Sequence, residues 1–256
     1  MVLMAGASVF APVITKKDPM KIDVPNKLRR PAPGAPMGAD QVGRDTLARV
    51  LYGGRLSLEV GALTVLFTTL GGTLIGLLAG FYPRTDPWIM RAMDAVMAFP
   101  AILLAIAIMA ILGPSVTNVI ASLSVVSIPR FARIVRSAVL ILREEIYVEA
   151  ARAVGARDGQ IMGRHILPNC LSPIIVQSTY GFATAVLNEA ALSFLGVGAP
   201  PSVPSWGNIL AEGRLLVADA PWLTFFPGAA IVLVVLGMNL LGDGLRDALD
   251  PRLRGT

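Results

Sequence analysis

Apolar residues in this chain come in long uncharged runs, not in the short alternations of a sheet. Residues 60–83 carry no Asp, Glu, Lys or Arg, and neither do 95–129, 166–188 or 220–242. A helix needs about 20 apolar residues to cross the hydrocarbon of a bilayer. The run 95–129 is too long for one crossing. Leu112-Gly113-Pro114-Ser115 cuts it, because Gly and Pro punctuate helices. The pattern predicts an all-α membrane helix bundle with spans near 58–82, 88–112, 115–136, 167–190 and 222–243.

The polar stretches between these runs are of different kinds. Residues 1–15 are uncharged but short of a full span. Ala5-Gly6-Ala7 resembles a signal-peptide cleavage site, yet no basic residue precedes the apolar stretch, so the segment reads better as the remnant of a first span. Residues 16–55 hold Lys16-Lys17-Asp18-Pro19, then Pro25, Pro31, Pro33 and Pro36, and read as an extramembrane loop with a lead-in helix. The stretch 196–221, with Pro200, Pro201, Pro204 and Pro221, reads as a second loop outside the membrane. Its Trp206 and Trp222 suit the interface.

Composition agrees with lipid as the solvent. Apolar residues make up 54% of the 256, charged residues 15%, and mean hydropathy is +0.67. A soluble domain usually carries about 25% charged residues. The net charge is +5, but most Arg residues sit between apolar runs or at their ends, which fits membrane topology and not nucleic acid. Placing segment 130–165 inside puts 12 Lys and Arg on the inner side and 10 on the outer, a slight bias toward that orientation. Cys170 is the lone cysteine and His165 the lone histidine, so neither a disulfide nor a zinc or haem site is expected.

Between the last two long polar boundaries lies a helix-forming insert, residues 137–168. Glu, Ala, Arg and Val run to Gly155, placed like the residue just past a helix end. Asp158 is positioned to cap a second short helix, and Pro168 marks the start of the next span. The insert reads as a helix–turn–helix elbow, and Ala150, Ala151 and Ala153 give it low relief for a close partner.

The spacing Glu149-Ala150-Ala151, three residues, Gly155, then Leu167-Pro168 resembles the EAA loop of ABC importer permeases. Arg164-His165-Ile166-Leu167-Pro168-Asn169 resembles the dipeptide/oligopeptide/nickel branch. So do Gly43-Arg44-Asp45, Leu192-Ser193-Phe194-Leu195-Gly196, Pro204-Ser205-Trp206-Gly207-Asn208 and Gly242-Asp243-Gly244-Leu245-Arg246-Asp247-Ala248-Leu249-Asp250-Pro251. The general EAA pattern has Ile where this chain has His165, which the peptide branch shares.

The resemblance implies six spans in a complete member, with the first truncated here, in a bacterial cytoplasmic (inner) membrane. It implies that the elbow is cytoplasmic and forms a coupling helix seated in an ATPase subunit. Glu149, Ala150, Ala151, Arg152, Gly155, Arg157, Leu167 and Pro168 are then the coupling residues. Residues 246–256 become a cytoplasmic tail, and loops 16–55 and 196–221 become external. Expected partners are a second related permease in a heterodimer, two ATPase subunits, an extracytoplasmic solute-binding protein and membrane lipid. The cargo would be peptides or solutes of similar size.

No cofactor is expected on the chain itself; ATP and Mg would be used by partner subunits. A P-loop needs Lys after Gly, and none of Lys16, Lys17, Lys21 or Lys27 follows one. With one histidine there is no Ser-His-Asp triad, so a non-catalytic subunit is expected. A secondary transporter would show two related halves, which the sequence lacks. A membrane scaffold remains the other reading; ATP hydrolysis stimulated by solute on reconstitution separates the two.

Polar residues within the spans are the remaining candidates. Asn188, Glu189 and Ser193 lie at the end of the span near 167–190, and an acid at that depth marks a pathway or a subunit interface. Arg91 and Asp94 are spaced for a local i, i+3 pair. Arg130, Arg133 and Arg136 share a helix face and are expected to anchor to lipid phosphates, or else to pair with Glu144 and Glu145. Gly71, Gly72, Gly76 and Gly80 predict close helix packing.

Overall fold

Each uncharged run folds as helix, because a backbone in lipid must satisfy its own hydrogen bonds. The computed structural model describes residues 2–249. Its helices, in chain order, are α1 (Val2–Val9), α2 (Ala11–Ile14), α3 (Thr46–Phe81), α4 (Asp86–Met97), α5 (Ala101–Leu112), α6 (Val116–Leu142), α7 (Ile146–Ala153), α8 (Asp158–Ile161), α9 (Leu171–Phe194), α10 (Trp206–Gly213) and α11 (Trp222–Leu249). A π-helical turn (Met162–Ile166) and a 3-10 turn (Leu167–Cys170) join α8 to α9. Among the described residues β pairing is limited to isolated bridges, Ala32 with Ala35 and Ala39 with Asp45.

Three helical bodies are long and apolar enough to cross a membrane: Thr46–Phe81, Asp158–Phe194 and Trp222–Leu249. The expected single span 88–112 is instead two helices, α4 and α5, bent by 85° at a short break. Pro100 causes it, because proline disfavours helical backbone at the preceding Phe99 and supplies no N–H. Counted as one broken span, the pair brings the total to four. Helix α6 is 27 residues long, with Arg130, Arg133 and Arg136 in its second half. The lead-in to the first long span is already helix from Thr46, so α3 has 36 residues. That is about 54 Å, well beyond the ~30 Å of hydrocarbon. The expected tail begins inside a helix, since α11 continues through Arg246 to Leu249; residues 250–256 lie outside the described residues.

The chain divides into two units. The first contains the chain up to Leu63, Ala105–Leu123 and Phe182–Met238. Its core gathers Val50, Ala183, Val186, Ala190, Trp206, Ile209, Ala230, Ile231, Val234 and Met238. Trp206 is fully buried and donates from Nε1 to the Val50 carbonyl at 2.9 Å. Loop 16–45 is ordered by a charge knot. Arg49 reaches Asp40 Oδ2 at 2.7 Å and takes Glu212 with both terminal nitrogens, at 2.5 and 2.8 Å. Arg44 adds bonds to Asp40 at 2.6 Å and to Glu212 at 2.8 Å. Asp40 Oδ1 also accepts from the Val42 and Arg44 backbone N–H groups. Asp45 caps α3 by accepting from the Ala48 N–H at 2.9 Å, and Trp222 Nε1 holds the Ala39 carbonyl at 3.1 Å.

The second unit contains Thr64–Leu104, Ser124–Gly181 and the chain from Asn239 onward. Here α3 and α6 cross at close range, as the glycine spacing predicts. A Cβ on Gly76 would sit 2.6 Å from the Ala132 carbonyl oxygen and 2.7 Å from Val135 Cβ. Gly72 likewise faces Phe131, and Gly80 faces Val139. Arg133 and Arg136 do not pair with Glu144 and Glu145 but with acids of α4, while Arg130 is exposed. Arg136 forms a bidentate pair with Asp86 at 2.5 and 2.5 Å, and Arg133 meets Asp94 at 2.5 Å. The expected Arg91–Asp94 pair is displaced by this contact, and Arg91 lies over the Trp88 ring instead. The bidentate Arg136 fork is the geometrically matched one of the two pairs; Arg133 meets Asp94 through one nitrogen.

Two stability effects follow. Gly76→Leu forces apart α3 and α6 and costs about 1–3 kcal/mol, read as a fall in thermal midpoint. Gly228→Ala is the control, because no atom lies within 4 Å of the new methyl. Arg49→Met leaves Asp40 and Glu212 without their shared cation and costs about 3–5 kcal/mol in the same measurement.

Candidate functional site

Helix α7 is eight residues long, too short to be stable alone, since isolated helices below about 12–15 residues are marginal in water. It is held by one face. Val148 and Ala151, three residues apart, are buried in a core with Phe81, Phe131, Val135, Val139, Ile161, Ile166, Cys170 and Ile174. The opposite face carries Ile146, Glu149, Ala150, Ala153 and Val154, spaced i, i+3, i+4, i+7 and i+8, and all exposed. Ile146 is 82% and Val154 85% exposed. The helix thus presents an exposed, largely apolar stripe outward.

The ends of α7 are fixed by backbone chemistry. Gly155 has φ +82°, and the Ala156 N–H reaches back to the Ala151 carbonyl at 3.0 Å while the Gly155 N–H reaches Arg152 at 2.9 Å. This is the Schellman arrangement, which needs a left-handed residue and hence favours glycine. Asp158 does not cap α8 as expected. The N-cap is Arg157, whose backbone N–H donates to Gln160 Oε1 at 3.1 Å, and Asp158 is already the first helical residue. Pro168 does not open the next span either, since the chain is helical from Asp158 to Phe194 through the π and 3-10 turns. π-helical turns of this kind recur at functional positions.

The elbow residues named from the sequence have different settings. Glu149, Ala150, Gly155, Arg157 and Pro168 are exposed, Ala151 is buried and Leu167 is half-buried against the same core. Arg152 is exposed, with its guanidinium carbon 5.6 Å from the Phe81 ring centre. His165 lies beside Tyr147, ring centres 6.4 Å apart, and its carbonyl accepts from Asn169 Nδ2 at 2.6 Å. Burial pushes the Tyr147 phenol above its ordinary value, and the Glu145 carboxylate adds to this, so it stays protonated at neutral pH. Sequence reasoning missed Ile146 and Val154. The signal was available: counting helix positions outward from Ala150 puts both on its face.

Asn188, Glu189 and Ser193 form a separate group in the first unit. Glu189 is fully buried. Its carboxylate accepts from Ser57 Oγ and Ser193 Oγ, each at 2.8 Å, and the Ser205 hydroxyl also reaches it. The Ala199 N–H donates to Ser193 Oγ at 3.1 Å, and Asn208 Nδ2 holds the carbonyls of Ala199, Pro200 and Val203. Glu189 and Ser193 are therefore enclosed by their own chain, and Asn188 is half-buried. Among the described residues no group of three His, Cys, Asp or Glu side chains is placed to hold a metal ion.

Residues 72–255 match the family of binding-protein-dependent transport system inner membrane components. The chain is 49% identical over 248 residues to the dipeptide transport system permease protein DppC of Alkalihalophilus pseudofirmus, covering 96% of this chain and 82% of that one. It is 45% identical over 256 residues to the glutathione transport system permease protein GsiD of Escherichia coli, covering 99% and 84%. The backbone matches a chain of the inward-facing MetNI methionine ABC transporter with a TM-score of 0.66, over 79% of this chain and 96% of that one. Identity there is 20%, so that likeness speaks to fold. With a family match over more than half its length and relatives nearly half identical along almost all of it, the chain belongs to the binding-protein-dependent transport system inner membrane components.

Proposed function

We propose that this chain is the non-catalytic permease subunit of an ATP-driven importer of short peptides in the bacterial inner membrane, coupled to its ATPase through the outward stripe of α7. The observation that carries the coupling is the division of α7 into two faces. Val148 and Ala151 fasten it to the core, and Ile146, Glu149, Ala150, Ala153 and Val154 are left exposed. A groove in a cytoplasmic ATPase subunit would cover that stripe. Two such subunits, using ATP and Mg, would serve this chain and a second related permease paired with it. An extracytoplasmic binding protein would deliver the solute, and lipid would surround the spans.

The cargo class rests on the relatives. One is a dipeptide permease and another a glutathione permease, and both cargoes are peptides of two or three residues. The proposed mechanism follows from stiffness. Closure of the ATPases displaces α7. Because Val148 and Ala151 are locked against Phe81, Val135 and Val139, the displacement passes to the ends of α3 and α6. Access then alternates between the two sides of the membrane. Arg152 and Arg157 are exposed cations beside the stripe, suited to acidic partners at the rim of the groove.

Two variants test the reading. Val154→Asp touches nothing in the fold, so the thermal midpoint stays within about 0.5 kcal/mol of the parent. The ATPase subunit loses affinity by at least about tenfold, because an unpaired carboxylate enters an apolar contact. Co-purification and ATP hydrolysis stimulated by solute-loaded binding protein are the readouts; unchanged coupling overturns the proposal. Gly155→Val places a β-branched residue at φ +82° and costs about 1–3 kcal/mol of local strain. Uptake should be lost while membrane insertion is kept, as measured by peptide transport into vesicles.

A further inference from the structure

Along α3 the contact with α6 changes character. From Gly72 onward it is close-packed, but at Thr64–Thr69 it is lined with hydroxyls. Thr64, Thr68 and Thr69 of α3, Ser127 of α6 and Ser178 of α9 surround a cavity of about 20 Å³. Ser178 donates to the Ile174 carbonyl at 2.8 Å, so its 2.9 Å contact with Thr69 uses the Thr69 proton. Thr64 and Thr68 are 1% and 5% exposed, and neither hydroxyl has a hydrogen-bond partner among the described residues.

Buried hydroxyls are almost always bonded, to protein or to ordered water. A cavity of roughly 10–15 Å³ suffices for one water, provided two to four polar groups receive it. No carboxylate lines the space, so a cation would lack a compensating charge. Hydroxyls can both donate and accept, which matches a neutral ligand that does the same. We propose that this cavity binds one water molecule, held by the hydroxyls of Thr64 and Thr68.

The test uses the assembled importer. A density map fine enough to show ordered water should contain one peak within hydrogen-bond distance of Thr64 Oγ1 and Thr68 Oγ1. Thr68→Val should remove that peak and lower the thermal midpoint by about 2–4 °C. Thr68→Ser should keep both. Combining Thr64→Val with Thr68→Val should lower the midpoint little further, because the two side chains share one ligand. A midpoint that holds or rises in Thr68→Val overturns the proposal, since deleting an unpaired hydroxyl from a dry void does not destabilise. So does an empty cavity with both hydroxyls turned to helix carbonyls. A peak with cation-length oxygen contacts and a midpoint that depends on sodium or potassium overturns it equally.

Discussion

Two small side chains hold the elbow in place. Val148 and Ala151 are the residues of α7 that enter the core, and without them an eight-residue helix has no reason to persist. Fully burying a valine contributes about 1.5–3 kcal/mol relative to exposure, enough to offset much of the cost of starting so short a helix. Because the anchor occupies one face, the other is released for a partner. The Schellman turn at Gly155 then stops the helix before the stripe of exposed residues could continue. Rigidity and availability in this segment come from the same packing event.

Charges in the molecule separate into two regimes. Arg133 and Asp94 are each more than half exposed, and a pair of that kind contributes about 0–1 kcal/mol. Arg49 and Asp40 are 1% exposed, and there the pairing is a condition of folding. An uncompensated charge at that depth would cost far more than the ion pair gains. Five side chain–side chain contacts among Arg44, Arg49, Asp40 and Glu212 distribute the cost. Loop 16–45, rich in proline and charge, is thereby tied through its own Asp40 and Arg44 to Arg49 and Glu212.

What could be read in the sequence was local or periodic. The uncharged runs marked helices because lipid leaves the backbone no alternative. Gly113-Pro114 separated α5 from α6, and the four-residue spacing of Gly72, Gly76 and Gly80 announced a close helix crossing, whose partners prove to be Phe131, Val135 and Val139. The break at Phe99-Pro100 had a signal too, but it sat inside a long uncharged run whose length drew attention to Gly113 instead. Partnerships were illegible. Arg136 finds Asp86 across 50 residues, Glu212 finds Arg49 across 163, and nothing in residue type selects Asp86 over Glu144. Geometry makes that choice, because α4 lies where the guanidinium fork can be met squarely.

Glu189 shows how far an inference from residue type extends. An acid within an apolar run is costly, and a pathway or interface is the usual explanation. Here the cost is met inside the chain by the hydroxyls of Ser57 and Ser193. Ser193 then spends its lone pair on the Ala199 N–H, just beyond a second Schellman turn, where Gly196 has φ +82° and Val197 reaches back to the Leu192 carbonyl at 3.0 Å. Ser205, which also reaches the carboxylate, caps α10 by accepting from the Asn208 N–H. One carboxylate thus fixes where α9 ends, how the loop turns and where α10 begins. A buried acid can be the organising centre of a loop, and the distinction from a transport residue is made by whether its oxygens face protein donors or open space.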